Sequence, residues 1–300
     1  MSKEKEGKPG QMKKMSLKER IALIAPDGTL SLFVLVIPLV CVVLYSFWTT
    51  DLDTFEVLPI WTLDNFASIL QPIYLQALGR SLLITLLTVV GTVVLGFPLA
   101  YFISRAPGKL QMVLLLLVMV PFWTSFVVRT YAWVSLLGPS GQVNQMLTFL
   151  HLIPEGTDLR YTTGAIAIGM IYTYLPLMVL PLYATLEKLD SNLINAASDL
   201  GRSMSSAFFT VVVPQAKAGI AAGCMLVAIP ALGEYTIPAI LGGGKTLMIG
   251  NVIANEFMTT GNYSRGAALA ALLLLIVLIA IIGSQIASHC REKRGSHEGD

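Results

Sequence analysis

Side chains that could bind a metal or act as nucleophiles are few in this chain and far apart. The sequence has three cysteines and three histidines in 300 residues, namely Cys41, Cys224, Cys290, His151, His289 and His297. None of them has the spacing of a zinc motif, a metalloprotease motif or a disulfide framework. We therefore predict neither a metal site nor a catalytic site at these residues.

One glycine-rich stretch is similar to a phosphate-binding loop. Ala239-Ile-Leu-Gly-Gly-Gly244-Lys245-Thr246 nearly matches that motif, with alanine in place of its first glycine. A phosphate-binding loop follows a strand and opens a helix, so that its backbone amides surround the phosphate. This stretch instead follows an apolar run that ends at Pro238. The sequence therefore predicts a tight turn here and no ATP site in the chain.

Between residues 187 and 216 the sequence predicts a short helix within a polar segment. Ser191 is a good N-cap residue, and Gly201 supplies the left-handed conformation that ends many helices. One face of this helix is apolar and consists of Leu193, Ile194, Ala197 and Leu200. The opposite face carries Asn195, Ser198 and Asp199.

This short helix suits a groove on a partner protein better than it suits a membrane surface. Ala196 and Ala197 keep the helix slim, which favours its insertion into a groove. A helix that lies on a membrane usually carries Lys and Arg on its polar face, and Asp199 would be repelled by anionic lipid. Docking on a partner is therefore favoured, and a position on the membrane surface is the alternative.

The composition indicates a protein whose main solvent is lipid. Hydrophobic residues make up 55% of the chain and charged residues 13%, against about 25% charged residues in soluble domains. The mean hydropathy is +0.72. Six apolar stretches are long enough to cross about 30 Å of hydrocarbon as helices, at 28–49, 81–104, 110–137, 161–186, 217–241 and 266–288. An open sheet would leave unpaired backbone groups in lipid, so we predict an all-α membrane protein.

The distribution of basic residues predicts that both ends of the chain lie in the cytoplasm. Lys and Arg are frequent before residue 21, next to 105–109, between 187 and 217, and after 290. With six spans these regions share one side, which the positive-inside rule assigns to the cytoplasm. The first apolar run is too long for a signal peptide, so we interpret it as an uncleaved helix.

The chain is thus divided into three predicted regions. They are a polar cytoplasmic arm at 1–27, a six-helix membrane domain at 28–288 that includes the loop at 187–216, and a cytoplasmic tail at 289–300. Outside the membrane, 64–75 and 141–150 are predicted to be short helical segments. Gly219 and Gly223 form a G-x-x-x-G pair that would let another helix approach closely, or else a flexible pair without a partner.

The loop at 187–216 resembles the EAA loop of binding-protein-dependent ABC importer permeases. Ala196-Ala197-x-x-x-Gly201, followed by an apolar run to Pro214, carries the resemblance. In that family the loop forms a coupling helix that docks on the ATP-hydrolysing subunit. The residues that the resemblance assigns to coupling are Asn195, Ala196, Ala197, Asp199, Gly201 and Pro214. Asn195 replaces the family's glutamate, so it can form a hydrogen bond there but not an ion pair.

Three further stretches are similar to spermidine/putrescine permeases, at 121–133, 174–184 and 229–243. The resemblance implies the MetI-like type I importer fold with six helices, in a bacterial inner membrane. It also implies a second, non-identical permease subunit, two ATPase subunits that bind ATP and Mg, and a periplasmic or tethered solute-binding protein. The chain itself would need no cofactor and would not bind nucleic acid.

A cationic solute such as a polyamine would be recognised by carboxylates and aromatic faces. Glu234 is the candidate carboxylate, predicted to lie late in the fifth span near the outer leaflet. The other candidate pathway residues are Tyr235, Trp123, Tyr172, Tyr174 and Arg129. Alternatively, Glu234 pairs with Arg129 or lies in interfacial water, and the aromatic residues belong to the interfacial belt.

Other kinds of function are less consistent with the sequence. Permeases of the same family for other small solutes, of the amino acid, opine or phosphonate type, remain an alternative. An ion-coupled secondary transporter often has carboxylates near the middle of the bilayer and recognisable repeats, neither of which the sequence indicates. An intramembrane enzyme would need a nucleophile and a base, or a metal cluster, within the helices.

Overall fold

The computed structural model describes residues 30–190 and 203–295 apart from 31, 204, 205 and 207, with side chains as far as residue 286 except at 284. The predicted coupling helix, with Asn195, Ala196, Ala197, Asp199 and Gly201, lies outside the described residues. So do the predicted arm at 1–27 and the last five residues of the predicted tail. Pro214 is the one predicted coupling residue within the described part.

The described residues are almost entirely helical. The helices are α1 (Leu32–Ser46), α2 (Asp64–Ile69), α3 (Pro72–Arg105), α4 (Gly108–Trp123), α5 (Phe126–Leu137), α6 (Gln142–Phe149), α7 (Thr163–Leu186), α8 (Phe208–Gln215), α9 (Lys217–Leu232), α10 (Thr236–Leu241), α11 (Ile249–Met258) and α12 (Tyr263–Gly295). Strands β1 (Thr49–Thr50) and β2 (Val57–Leu58) form a small antiparallel hairpin. The all-α prediction is therefore confirmed.

Three helices, α3, α7 and α12, are long and apolar enough to cross a membrane without interruption. Two further pairs satisfy the same test but are bent: α4 with the helical segment Phe126–Phe149 by 92°, and α8 with α9 by 59°. The described residues thus supply up to five spans, and α1 is a shorter apolar helix. The count of six spans, with both termini in the cytoplasm, stays a prediction.

The centre of the bundle is formed by α3, α7 and α9. Gly219 and Gly223 of α9 both face α7. A Cβ added at Gly219 would lie 2.6 Å from Thr185 Oγ1, and one added at Gly223 would lie 2.5 Å from Met178 Sδ. The close helix contact predicted from the G-x-x-x-G pair is therefore confirmed, with α7 as the partner.

A second, smaller core joins α2, the first turns of α3, α11 and α12. It consists of Ile69, Tyr74, Ala77, Ile249, Val252, Ala268 and Leu269. The hairpin is fixed to this region by a pair of buried hydrogen bonds: Thr50 Oγ1 donates to Ser264 Oγ at 2.7 Å, and the Ser264 amide donates to Thr50 Oγ1 at 2.9 Å. This core holds α11 against the end of α3 that begins at Pro72.

The predicted boundaries of several spans differ from the observed helices. The second predicted span corresponds to α3, which begins at Pro72 rather than at 81. Proline suits the first helical position because its nitrogen needs no hydrogen-bond partner there. The predicted span at 110–137 is broken at Thr124, whose backbone is extended. Pro121 lacks an N–H group, and the Thr124 hydroxyl donates to the Pro121 carbonyl at 2.9 Å, so the helix ends there.

The predicted span at 217–241 is also interrupted. Helix α9 ends at Leu232, residues 233–235 leave the helical path, and α10 begins at Thr236. Pro230 lies inside the last turn of α9 and removes one helical hydrogen bond. Mean hydropathy does not register such an interruption, because both flanking segments are apolar.

Candidate functional site

Glu234 occupies the break between α9 and α10 and fixes its geometry. Its Oε1 accepts hydrogen bonds from the backbone amides of Thr236, at 2.8 Å, and Ile237, at 3.3 Å. Its Oε2 accepts the Tyr174 hydroxyl at 2.6 Å. The carboxylate thus satisfies amide groups in the first turn of α10 that would otherwise have no acceptor. The positive end of α10 in turn favours the negative charge.

Helix α11 holds the same break from the other side. Asn251 Nδ2 donates to the Tyr235 carbonyl at 2.7 Å, and Asn251 Oδ1 accepts the Met248 amide at 3.1 Å. Gly250 approaches so closely that an added Cβ would lie 2.6 Å from the Gly233 carbonyl oxygen and 2.8 Å from that of Glu234. Only glycine leaves room for this contact between two backbones.

Glu234 contacts the middle of α7, whereas the sequence analysis predicted a position near the outer leaflet. Its partner Tyr174 is buried and lies halfway along the 24 residues of α7. At 1.5 Å per residue this is roughly 17 Å from either end of that helix. Glu234 therefore lies beside the middle of α7, and the sequence analysis did not place an acidic residue there.

The structure brings only some of the predicted pathway residues to Glu234. Tyr174 contacts it directly, and Tyr235 is its exposed neighbour in the chain. Tyr172 instead packs edge-on against Trp133, with ring centroids 5.6 Å apart. Trp123, the last residue of α4, is 74% exposed. The aromatic residues are thus distributed over the bundle and do not form one cage.

Arg129 does not pair with Glu234, contrary to the alternative that the sequence left open. From the described residues, the oxygens of Glu234 accept the hydroxyl and amide donors given above and no others, and no nitrogen of Arg129 lies within 4 Å of them. Within the described part of the chain, the buried Nε and Nη1 atoms of Arg129 have no hydrogen-bond partner. Its guanidinium lies over the ring of Phe126, 5.7 Å from the centroid.

A second carboxylate, Glu256 in α11, was missed by the sequence analysis. Its side chain is 4% exposed. The Tyr74 hydroxyl donates to Oε1 and the Thr260 hydroxyl to Oε2, both at 2.8 Å. The available signal was an acidic residue within the largely apolar segment Ile249–Met258. That segment lies between two predicted spans, and the sequence analysis made no prediction for it.

The glycine-rich stretch forms the predicted turn. It follows α10 rather than a strand, and Gly243 and Gly244 have φ values of +54° and +74°. The Lys245 amide donates to the Gly242 carbonyl at 3.0 Å, which closes the turn. Gly243 packs directly on the ring of Tyr161, so a side chain there would collide with it. This setting differs from that of a phosphate-binding loop.

The fold and the site together define a class of protein. Apolar helices, including two bent pairs, surround a helix break that holds a carboxylate beside the middle of α7. Ionisable groups are expensive in a membrane and mark solute or ion pathways there. Interrupted helices of this kind are typical of proteins that move solutes across membranes. The molecule is accordingly a multi-pass membrane transport protein.

The chain belongs to the family of inner membrane components of binding-protein-dependent transport systems, whose model matches residues 28–289. It is thus a permease subunit of an ABC importer and a protein of the bacterial inner membrane, as the resemblance implied. Membership of this family also rules out the ion-coupled secondary transporter considered above.

The curated relatives that match almost the full chain are polyamine permeases by name. The spermidine/putrescine transport system permease protein PotB of Salmonella typhimurium (strain SL1344) is 36% identical over 289 residues, which cover 96% of this chain and all of the relative. PotB of Escherichia coli (strain K12) is 37% identical over 267 residues, or 89% of this chain and 96% of the relative. The inner membrane ABC transporter permease YdcU of the same organism is 32% identical over 248 residues.

Solved structures confirm the fold. A bacterial ABC transporter involved in import of the acidic polysaccharide alginate matches with a TM-score of 0.70 at 18% identity, covering 89% of this chain and 95% of that chain. The alginate transporter in complex with its pentasaccharide-bound periplasmic protein matches with a TM-score of 0.66 at 16% identity. The chain therefore has the fold of type I importer permeases.

Proposed function

We propose that this chain forms half of the translocation pathway of an importer for a small cationic solute, a polyamine such as spermidine or putrescine. The observation that carries the proposal is 36–37% identity to permeases of that name along nearly the whole chain. A carboxylate next to tyrosines supports it, because an ammonium group gains from both. The chain acts as a transport subunit without an ATPase site of its own.

In this proposal Glu234 supplies the negative charge of the pathway, and Tyr174 holds its side chain in place. Three of the four lone-pair sites of a carboxylate are occupied by the donors described above, so one remains for a passing ammonium group. The remaining pathway candidates are Tyr235, Trp123, Tyr172 and Arg129. The solute itself would come from a periplasmic or tethered binding protein.

Energy reaches the pathway through the loop at 187–216. Two partner ATPase subunits bind ATP and Mg, and the coupling helix with Asn195, Ala196, Ala197, Asp199 and Gly201 docks on one of them. Pro214 lies in α8, which leads into α9, and α9 ends directly at the break that Glu234 caps. A push on the loop is therefore transmitted to the carboxylate through α8 and α9, which meet at a bend of 59°. A second, non-identical permease completes the pathway.

The substrate class is tested with the complete transporter in liposomes. ATP hydrolysis and uptake would be measured with the binding protein present, across polyamines, amino acids, sugars, opines and phosphonates. We expect stimulation by polyamines alone. Stimulation by one of the other classes, with none by polyamines, would show that the substrate assignment is wrong.

The coupling assignment is tested by Gly201→Asp. A carboxylate and a Cβ at the helix end would disturb both the turn and the docking surface, so we expect uptake to be abolished while the permease still inserts. Gly108→Asp is the matched control, since a Cβ added at Gly108 meets no atom within 4 Å. Normal uptake with Gly201→Asp would remove this loop from the coupling pathway.

A further inference from the structure

A cavity of about 460 Å³ lies between α11, the region of α10 and the first turn of α3. This volume is within the usual range for small-molecule sites, about 300–1,000 Å³. Its polar lining consists of Tyr74, Tyr235, Asn251, Asn255, Glu256 and Thr259. Its apolar lining includes Ile73, Leu247, Val252 and Met258. A flexible molecule with both polar ends and methylene groups would find matching surfaces here.

The charge in this cavity comes from Glu256. Among the described residues, its two oxygens accept neutral hydroxyl groups alone, those of Tyr74 and Thr260. In the part of the chain that the structure describes, no nitrogen of Lys, Arg or His lies within 4 Å of this carboxylate. A carboxylate that is 4% exposed loses most of its hydration, which neutral donors replace only in part.

The nearby Arg265 does not supply the missing cationic partner of Glu256. Its guanidinium lies within hydrogen-bonding reach of the Tyr74 hydroxyl and also acts on it electrostatically, but it forms no ion pair with Glu256. Its buried Nε has no hydrogen-bond partner among the described residues. A purely structural network of Tyr74, Glu256 and Arg265 is the alternative that an experiment must separate from a binding site.

The cavity adjoins the break that holds Glu234. Gly250 touches that break, and Glu256 lies six residues further along α11, about 9 Å along the helix axis. Asn251 lines the cavity and donates to the Tyr235 carbonyl. The two carboxylates therefore lie next to different parts of α11, and Glu256 is near the Pro72 end of α3, where it meets Tyr74.

We propose that this cavity is a separate binding station for an ammonium group, with Glu256 as the counter-ion and the rings of Tyr74 and Tyr235 as its aromatic walls. An ammonium group would donate to the free lone pairs of Glu256 and gain from the aromatic faces. The identification of that group as one end of a polyamine rests on the proposed function. The binding station itself does not depend on it.

The first experiment measures the preference of the cavity for cations without using the solute. Asn255 is exposed and lines the cavity, so Asn255→Cys would be made in a chain with serine at positions 41, 224 and 290. In the assembled complex, the rates of reaction with trimethylammonium-ethyl and sulfonato-ethyl methanethiosulfonate would be compared. We expect the cation-to-anion rate ratio to fall at least about fivefold when Glu256→Gln is added.

The second experiment measures uptake by the complete transporter. Glu256→Gln should raise the KM for a polyamine at least about tenfold and leave the amount of complex unchanged, because it removes the charge and keeps an acceptor for Tyr74. Glu155→Gln is the matched control, since Glu155 is an exposed carboxylate in the segment between α6 and α7. Glu256→Asp keeps the charge and provides a second variant if the amide assembles poorly.

The outcomes separate this proposal from the proposed function. An unchanged reagent ratio, or a loss of complex without a change in KM, would show that Glu256 has only a structural role and overturn the binding station. The cation-to-anion rate ratio could fall as expected with Glu256→Gln although the transporter does not take up polyamines. That result would support the binding station and reject polyamines as the substrate class. Protection of Asn255→Cys by tetramethylammonium chloride, absent with sodium chloride, would further support an ammonium site.

Discussion

Two carboxylate–tyrosine pairs occupy this molecule, and they differ in what else holds the carboxylate. Glu234 accepts two backbone amides besides the Tyr174 hydroxyl, whereas the donors to Glu256 within the described residues are the hydroxyls of Tyr74 and Thr260 alone. The backbone amides fix Glu234 to the first turn of α10. Glu256 has side-chain donors and lies among the residues that line the cavity. The same two residue types therefore build a helix break in one place and a binding surface in the other.

The largest expected effect comes from Gly250→Ala, which disrupts the contact between α11 and the break at Glu234. The added methyl group would lie 2.6 Å from the Gly233 carbonyl oxygen, and overpacking of this kind costs about 1–3 kcal/mol. We expect loss of most assembled complex and of uptake. The amount of assembled complex would be measured by size-exclusion chromatography, and its stability by thermal unfolding.

The matched control is Gly79→Ala in α3, where an added Cβ meets no atom within 4 Å. This substitution removes a helical glycine without a new contact, so its effect on stability should be neutral or favourable. Equal yields for the two variants would show that the close approach of Gly250 does not hold the break together.

Substitution of Glu234 separates its charge from its role as a cap. Glu234→Gln keeps an acceptor for the α10 amides but removes the charge, so we expect normal assembly with weakened uptake of a cationic solute. Glu234→Ala removes the cap as well, which lowers the stability of the fold by about 0.5–2 kcal/mol, and should reduce the yield of complex. Uptake kinetics and thermal unfolding of both variants would be measured together.

If Glu234→Gln transports with unchanged kinetics while Glu234→Ala fails to assemble, Glu234 is a structural cap and leaves the list of pathway residues. The proposed contrast between the two carboxylates would then be complete, with Glu256 as the only one that senses solute charge in the described part of the chain.

The two tyrosines give a direct comparison by the same substitution. Tyr174→Phe leaves Glu234 with two amide donors, so its carboxylate stays in place. Tyr74→Phe leaves Glu256 with Thr260 alone, and a buried acceptor that loses a partner costs about 1–3 kcal/mol. We expect Tyr74→Phe to change the KM for uptake about fivefold or more, and Tyr174→Phe by less. The reverse order would contradict the assignment of a binding role to Glu256.

The smallest expected effect belongs to Thr260→Val. The hydroxyl of Thr260 can donate to Glu256 Oε2 or to the Glu256 carbonyl, at 2.8 and 3.0 Å. The one proton of this hydroxyl is shared between the two acceptors, so its bond stabilises the carboxylate only in part. We expect a change in KM of about twofold. Thr260→Ser keeps the hydroxyl and should match the wild type. A larger effect of Thr260→Val than of Tyr74→Phe would reverse the ranking of the two donors.

Sequence patterns predicted the parts of this fold that depend on neighbouring residues. The G-x-x-x-G pair, the short helix near 141–150 and the turn at Gly242–Gly244 were all expected and are all observed. Each depends on local spacing or on the conformational freedom of glycine. The ABC importer permease family could also be identified from short motifs.

The site could be predicted only in part, because its contacts join distant residues. Tyr174 and Glu234 are 60 residues apart in the chain, and Tyr74 and Glu256 are 182 apart. The sequence singled out Glu234 as an acidic residue in an apolar run, but its place beside the middle of α7 follows from the packing of α7 and α9. The role of Gly250 depends on a backbone from another segment, which no local pattern reveals.

The bend between α4 and α5 has a consequence for the surrounding lipid. The segment Phe126–Phe149 runs at 92° to α4, and it consists of α5 with 12 residues and α6 with 8, which extend for about 18 and 12 Å. If α4 follows the membrane normal, this segment lies along the membrane plane at one level only. The protein then displaces more lipid at that level than at the opposite one.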